Sequence, residues 1–269
     1  MTDQDKKQVK EFWDKASCGE DLYLHGLDEF AYQTQAGKRY ELEPYITTFA
    51  GFSDARGLRV LEIGVGLGAD HQKFAEAGAI LDGIDLTERA ITHTKQRFKV
   101  MELSSKLIVG DAENLHYEDD FFDVVYSWGV LHHSPNTPKA IREVFRVLKK
   151  GGEARIMIYN KHCMVGLMLW VRYALLKFRP WISLNEIYAR YLESPGTKAY
   201  TVNEARLLFA DFNKINIRTV LTHGDLLESE AGQRHRGILL SLAKKLWPRG
   251  LIRKFFPNAG LFMLIEAKK

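Results

Sequence analysis

One stretch constrains this chain more than any other: Val60-Leu61-Glu62-Ile63-Gly64-Val65-Gly66-Leu67-Gly68-Ala69-Asp70. Its apolar start reads as a buried strand. Its glycines give a turn in which backbone can approach a ligand where a side chain would obstruct it, and a helical pattern follows. A strand that feeds a helix in this way begins a β-α-β unit, with ligands expected at the carboxyl ends of parallel strands. The pattern recurs. Strands are predicted at Leu58–Ile63, Ile80–Asp85, Lys106–Val109, Phe122–Ser127 and Glu153–Tyr159, and helices at Ala69–Ala77, Thr87–Leu103 and Lys139–Leu148. Lys149-Lys150-Gly151-Gly152 reads as the C-cap of the last of these. Thr201-Val202-Asn203-Glu204 has the form of a capping box opening a helix to Phe212, and Ile215–Leu221 and Leu261–Ala267 read as a sixth and a seventh strand.

With 269 residues, 46% of them hydrophobic, the chain has enough apolar material for one large core and is neither a disordered tail nor a disulfide scaffold. Cys18 and Cys163 are too few for a secreted staple. The polar start, Met1 to Lys7, has no apolar run behind it, so no signal peptide is expected and the chain reads as cytoplasmic. The most apolar stretch, Cys163 to Phe178, is interrupted by Arg172 and is shorter than the ~20 residues a spanning helix needs. The net charge of +4 hides an asymmetry: residues 231–269 hold nine basic residues and one acid, Glu266, leaving an acidic body.

The glycine turn alone is ambiguous, because Gly64-x-Gly66-x-x-Ala69 also satisfies the dinucleotide fingerprint, in which a helix N-terminus holds a pyrophosphate. Asp85, at the end of the second strand, is placed to accept from two ribose hydroxyls; the alternative is that it caps the helix starting near Thr87. Asp111, in Gly110-Asp111-Ala112-Glu113 after the third strand, is placed to accept from an adenine amine. Beyond the fourth strand comes Ser127-Trp128-Gly129-Val130-Leu131-His132-His133, an aromatic and histidine-rich loop.

With these residues the sequence resembles the class I S-adenosylmethionine-dependent methyltransferases, in their small-molecule branch with a Leu-His-His loop after the fourth strand. The resemblance spans Tyr40 to Tyr159, and more loosely Thr201 to Ala267. It implies a Rossmann-like α/β fold: a seven-stranded, mostly parallel sheet with helices on both faces, the seventh strand antiparallel and inserted beside the sixth. In that scheme residues 1–50 are an N-terminal helical cap and 51–269 the methyltransferase domain, with helical insertions at about 160–200 and 223–260. The resemblance further implies that Glu62, Gly64, Gly66 and Gly68 form the methionine-side loop, Asp85 holds the ribose, Leu86 lies on the adenine, Asp111 and Ala112 meet its edge, and Ser127 flanks the cofactor. Arg39 or Tyr40 would reach the methionine carboxylate, with a plain surface arginine as the alternative.

Methyl transfer from a sulfonium is an in-line displacement that chiefly requires alignment, and a base only where the nucleophile holds a proton. His132 and His133 are the candidate catalytic groups. Adjacent residues rarely face one site together, so one is expected to act, with His132 preferred. No third residue at useful spacing completes a metal site, so none is expected. Tyr23, Tyr126 and Trp128 are the aromatic candidates for the acceptor cavity. The chain lacks the Asn/Asp-Pro-Pro-aromatic loop of base-amine methyltransferases, which argues against nucleic acid. The apolar run Cys163–Val171 requires burial, a partner or lipid. The basic-apolar segment 231–258 fits either a membrane-surface helix or a lid or homodimer helix. The expected function is transfer of a methyl group from S-adenosylmethionine to a small, apolar or membrane-derived acceptor. A nicotinamide-dependent oxidoreductase and a non-catalytic nucleoside-binding partner protein stand as the alternatives.

Overall fold

The computed structural model describes residues 3–228 and 244–269. Seven strands form one sheet: β1 (Arg59–Ile63), β2 (Ile80–Asp85), β3 (Lys106–Val109), β4 (Phe122–Trp128), β5 (Leu148–Tyr159), β6 (Lys214–Val220) and β7 (Phe262–Lys268). Their spatial order is β3-β2-β1-β4-β5-β7-β6. Strands β1 to β5 pair in parallel, and β7 runs antiparallel between β5 and β6. Strand order reverses at β1, between β2 and β4, which opens a crevice at the carboxyl ends of these strands.

Period-2 alternation sends neighbouring residues of each central strand to opposite layers. Val60, Val124 and Met157 pack with Phe49, Phe74 and Tyr188 on one side. Leu61, Val125 and Ile158 pack on the other against Ala140, Ile141 and Val144 of α7 (Thr137–Val147) and Phe209 just past α10 (Val202–Leu208). The first layer holds α4 (Tyr45–Ala50), α5 (Ala69–Glu76) and α6 (Glu88–Val100), together with the first insertion, α8 (Met164–Tyr173) and α9 (Leu184–Tyr191). The apolar run of α8 is accounted for on one side: Leu169 is buried, Gly166 meets the Tyr188 ring of α9, and Leu167 stays exposed.

Before the sheet come α1 (Asp3–Trp13), α2 (Glu20–Tyr23) and α3 (Glu29–Leu42). Two polar anchors tie this N-terminal region to α6. Glu20 accepts from Arg89 and lies 3.1 Å from His93 Nε2. The buried Arg97 guanidinium donates to the Tyr32 carbonyl (2.6 Å) and to Gln35 Oε1 (2.7 Å) while lying over the Tyr32 ring. Such a buried cation is tolerable only because acceptors and a ring face replace its water.

Two local expectations are corrected. Helix α7 stops at Val147, and Gly151-Gly152 lies inside β5 rather than capping a helix, because Leu148 already pairs with Phe122 and the register shifts by a bulge before Glu153. The helix opened by Thr201 makes both halves of its capping box but ends at Leu208, not Phe212. Of the basic-apolar segment 231–258, residues 231–243 lie outside the described residues; the remainder contains α11 (Arg249–Phe255). Among the described residues no helix is long and apolar enough to cross a membrane.

Candidate active site

The crevice is lined at its floor by residues 62–70, on one wall by Ile84 to Thr87 and 110–112, and on the other by Trp128 to Val130 and His133. Lys6, Val9 and Trp13 of α1, with Ser17, Cys18, Gln35 and Arg39, close it from above. Gly64 has φ +87°, and a Cβ there would sit 2.1 Å from Val130 Cγ2. Gly66 has φ +51°, and a Cβ there would meet nothing within 4 Å, since it points into the open crevice. The first glycine is demanded by packing and the second by the space in front of it.

Asp85 stands beside this turn. One carboxylate oxygen accepts from the Thr87 amide (2.9 Å) and hydroxyl (2.8 Å), the other from the Gly66 amide (3.2 Å). The helix cap is Thr87 itself, which accepts from Ala90, so Asp85 braces the cap rather than being it. Burial raises the Asp85 carboxyl above the usual carboxylate range, against the pull of those donors. Across the crevice Lys6 pairs with Asp111 (2.6 Å) and Glu113 (3.0 Å), so the acid expected at an adenine edge is held by α1.

Below the glycine turn lies a buried network that sequence reasoning missed. Asp70, in the first turn of α5, accepts from Arg39 Nε (3.0 Å) and Nη2 (2.6 Å), Tyr40 OH (3.0 Å) and Tyr126 OH (2.8 Å). Burial alone would raise its carboxyl, but Arg39 and these donors hold it below the usual value. Glu62, buried and near that negative charge, is raised well above the usual range. It lies 2.9 Å from Nδ1 of His71, whose imidazole is pushed down by burial to about 3 and is neutral. The signal for Asp70 was an acid one residue inside a helix that follows a glycine turn; its three partners come from distant parts of the chain.

The sequence prefers His132 of the two histidines, but only His133 lines the crevice. His132 is fully buried, packed 3.9 Å between ring centroids from Tyr159, and neither ring nitrogen has a hydrogen-bond partner among the described residues; burial drives its imidazole well below the ordinary value. It is His133 that reaches the crevice. Its Nδ1 lies 2.8 Å from Ser194 Oγ and 3.1 Å from Thr197 Oγ1, its Nε2 3.3 Å from Glu193 Oε2, and its ring meets Trp13 edge-on. Glu193 also accepts from Tyr159 OH at 2.7 Å. Folding thus brings Glu193 beside both histidines, a third group that spacing could not reveal. Glu43, buried nearby and pushed by burial to about 7, has its Oε2 3.6 Å from Arg39 Nη1, with no hydrogen-bond partner among the described residues.

Of the predicted residues, the structure brings Arg39, Glu62, Gly64, Gly66, Gly68, Asp85, Leu86, Asp111, Ala112, Trp128 and His133 to the crevice. Tyr40 and Tyr126 instead serve Asp70, and Ser127 donates from a buried position to the Ile63 carbonyl (2.9 Å), holding β4 to β1. Tyr23 stays off the lining, its ring against Gly19. Lys6, Ser17, Gln35 and Thr87 are lining residues the sequence did not mark.

A sheet of this order, with a glycine cradle and a braced acid at the switch point, defines the Rossmann-like fold of the class I S-adenosylmethionine-dependent methyltransferases. Residues 61–156 match the family described as "Methyltransferase domain", and the likenesses support a class I S-adenosylmethionine-dependent methyltransferase, with S-adenosylmethionine the expected cofactor. Phosphoethanolamine N-methyltransferase 1 of Triticum aestivum is 29% identical over 171 residues, covering 58% of this chain and 34% of that protein. A fatty-acid O-methyltransferase of Mycolicibacterium smegmatis is 34% identical over 116 residues, covering 42% of this chain and 41% of that one. The chain thus spans about a third of the length of the first curated relatives it matches. In fold it is similar to phosphoethanolamine N-methyltransferase 2 of Haemonchus contortus, solved with phosphomonomethylethanolamine and S-adenosylhomocysteine (TM-score 0.60, 16% identity, 97% of this chain and 60% of that one). Neither the oxidoreductase nor the non-catalytic alternative is favoured by these likenesses.

Proposed function

We propose that this chain transfers a methyl group from S-adenosylmethionine to a small acceptor carrying a polar head on an apolar body. The observation that carries the reading is the crevice at the strand switch point, where an open glycine cradle at Gly66 faces the braced Asp85 carboxylate. In this reading Glu62, Gly64, Gly66 and Gly68 cradle the methionine end, Asp85 takes the ribose hydroxyls, and Leu86, Asp111 and Ala112 border the adenine. The cofactor supplies a methyl group already activated on a sulfonium. The protein's work is then to hold the acceptor in line and exclude water.

Trp13, Trp128 and His133 flank the side of the crevice where the acceptor enters. Held by Ser194 and Thr197 at Nδ1, His133 presents Nε2 toward Glu193 and is the group placed to orient an acceptor's polar head or take its proton. Relatives named for phosphoethanolamine and for fatty acid support a head-and-body acceptor of this kind. Residues 1–50 act as the cap and 51–269 as the methyltransferase domain, working in the cytoplasm, with the membrane surface as the source of the acceptor; a homodimer is the competing use of segment 231–258.

Calorimetry with S-adenosylhomocysteine tests the cofactor assignment. Wild type is expected to bind at micromolar concentration, and Asp85→Ala to bind at least tenfold more weakly, as loss of hydrogen bonds to a charged group requires. Absence of binding by the wild type would remove the proposal.

A further inference from the structure

Among the described residues, nine of the fourteen large apolar side chains that stand exposed belong to the two insertions, although these are a minor part of the chain. In the first they are Leu167, Leu175, Leu176, Phe178 and Trp181, and in the second Leu246, Leu251, Phe255 and Phe256. A shallow groove lined by Met164, Leu167, Trp170, Leu184 and Ala259 joins the insertions, and the Met164 amide donates to the Ala259 carbonyl at 3.0 Å. Phe178 is the sharpest case. It is 88% exposed and has φ +55°, a left-handed conformation that a bulky residue adopts at a cost, and no burial among the described residues offsets that cost.

Along the sequence, the charge of the two stretches that carry most of these side chains has one sign. Residues 172–183 hold Arg172, Lys177 and Arg179 and no acid; residues 244–258 hold Lys244, Lys245, Arg249, Arg253 and Lys254 and no acid. Arg253 is paired with Glu228, and Arg249 donates to the carbonyls of Leu226 and Leu227, so both tie the later part of the second insertion to its first residues. Lys177, Arg179, Lys245 and Lys254 flank the exposed rings and leucines, and Lys254 lies over the Phe255 ring. Aromatic and aliphatic side chains standing among lysines and arginines complement the boundary between acyl chains and anionic headgroups.

We propose that the two insertions form a single docking face for an anionic bilayer, with Leu175, Leu176, Phe178 and Trp181 entering the headgroup region beside Phe255 and Phe256. The sequence places membrane contact in segment 231–258 and gives lipid as one of three options for Cys163–Val171; the structure adds the exposed side chains of the α8–α9 connection. The inference deepens the proposed function by giving the source of the acceptor, and it rests on that reading only for its purpose. Binding depends on apolar entry and on basic residues that each contribute about fivefold near an anionic leaflet, so it is salt-sensitive.

Sedimentation with vesicles of phosphatidylcholine containing about 30% phosphatidylglycerol tests it, at low and high salt and against neutral vesicles. Wild type is expected to sediment with the anionic vesicles at low salt and to be released as salt rises. Phe178→Ser/Trp181→Ser and Lys177→Glu/Arg179→Glu should each lower partitioning at least tenfold while melting and binding S-adenosylhomocysteine as wild type does. Those two controls separate a failed docking face from a failed methyltransferase assignment. The inference is overturned if wild type ignores anionic vesicles at low salt or if the variants bind them as wild type does. It is equally overturned if light scattering finds a dimer that Phe178→Ser/Trp181→Ser dissolves, which would give the face to a second copy of the chain.

Discussion

Asp70 offers the most direct test of how the N-terminal region is fixed to the sheet. Its carboxylate is 3% exposed and receives four hydrogen bonds from three side chains, Arg39, Tyr40 and Tyr126, two of them from one guanidinium. Asp70→Asn keeps the volume, removes the charge and turns two of those donors toward an amide N–H. Breaking a buried ion pair by neutralising one partner costs about 3–5 kcal/mol, because the remaining charge loses its compensation. For a chain this long each kcal/mol moves the melting temperature by about 2–4 °C, so a fall near 10 °C is expected. Thermal and urea unfolding followed by circular dichroism measure it, and Tyr126→Phe, which removes one donor, should lose about 1–2 kcal/mol. The pH dependence carries a sign. Asp70 has a folded value below its unfolded one, so its stabilisation is present above about pH 4 and disappears as pH falls through the folded value. The stabilities of wild type and Asp70→Asn should therefore converge only in acid. A melting shift under about 3 °C, accompanied by loss of S-adenosylhomocysteine binding, would refute the reasoning and return Arg39 to the cofactor's carboxylate.

Two further outcomes follow from the same geometry. Gly66→Ala places a methyl group in open crevice at a left-handed φ, so it should cost only about 1–2 kcal/mol of stability yet weaken S-adenosylhomocysteine at least tenfold in calorimetry. Gly64→Ala drives its methyl into Val130 and should lose about 3 kcal/mol or more, part of it recovered by adding Val130→Ala; equal binding by Gly66→Ala and wild type would move the cofactor elsewhere. Glu43, pushed by burial to about 7, contributes stability that is full below about pH 4.5 and is lost as pH rises through 7. Raising the pH from 5 to 8 should thus cost wild type about 2 kcal/mol more than Glu43→Gln in urea unfolding, and parallel profiles would show that Glu43 ionises normally.

What the sequence revealed and what it hid divide by the range of the interactions. Strands β2 and β3 begin and end where local apolar runs place them, and the Thr201–Glu204 capping box forms as written, because each is decided within a few residues. The Gly151-Gly152 pair misled because β5 pairs with Phe122 through a bulge, a long-range registry that overrides the local signal of a helix end. In the crevice, the glycine turn and Asp85 were legible since each follows its own strand, whereas the choice between His132 and His133 was not, because burial of the ring decides it. The partners of His133 were not: Glu193, Ser194 and Thr197 lie some sixty residues away in an insertion with no motif of its own, and only folding brings them within 3.3 Å of the ring.

That separation has a consequence for specificity. In the proposed reading the cofactor side of the crevice is built from the carboxyl ends of β1 to β4, of which β1 and β4 are buried on both faces. The acceptor side is built from α1, the Cys18 and Glu43 region and the segment around Glu193, none of which belongs to the sheet. His133 sits at the seam, carried by the loop after β4 but oriented by the insertion. Changes in the insertion can therefore alter which acceptor is aligned without disturbing the cofactor cradle. The same insertion presents Phe178 and Trp181 to the outside, so the element that orients the acceptor-side histidine is also the one placed to meet the surface from which a lipid-borne acceptor would come.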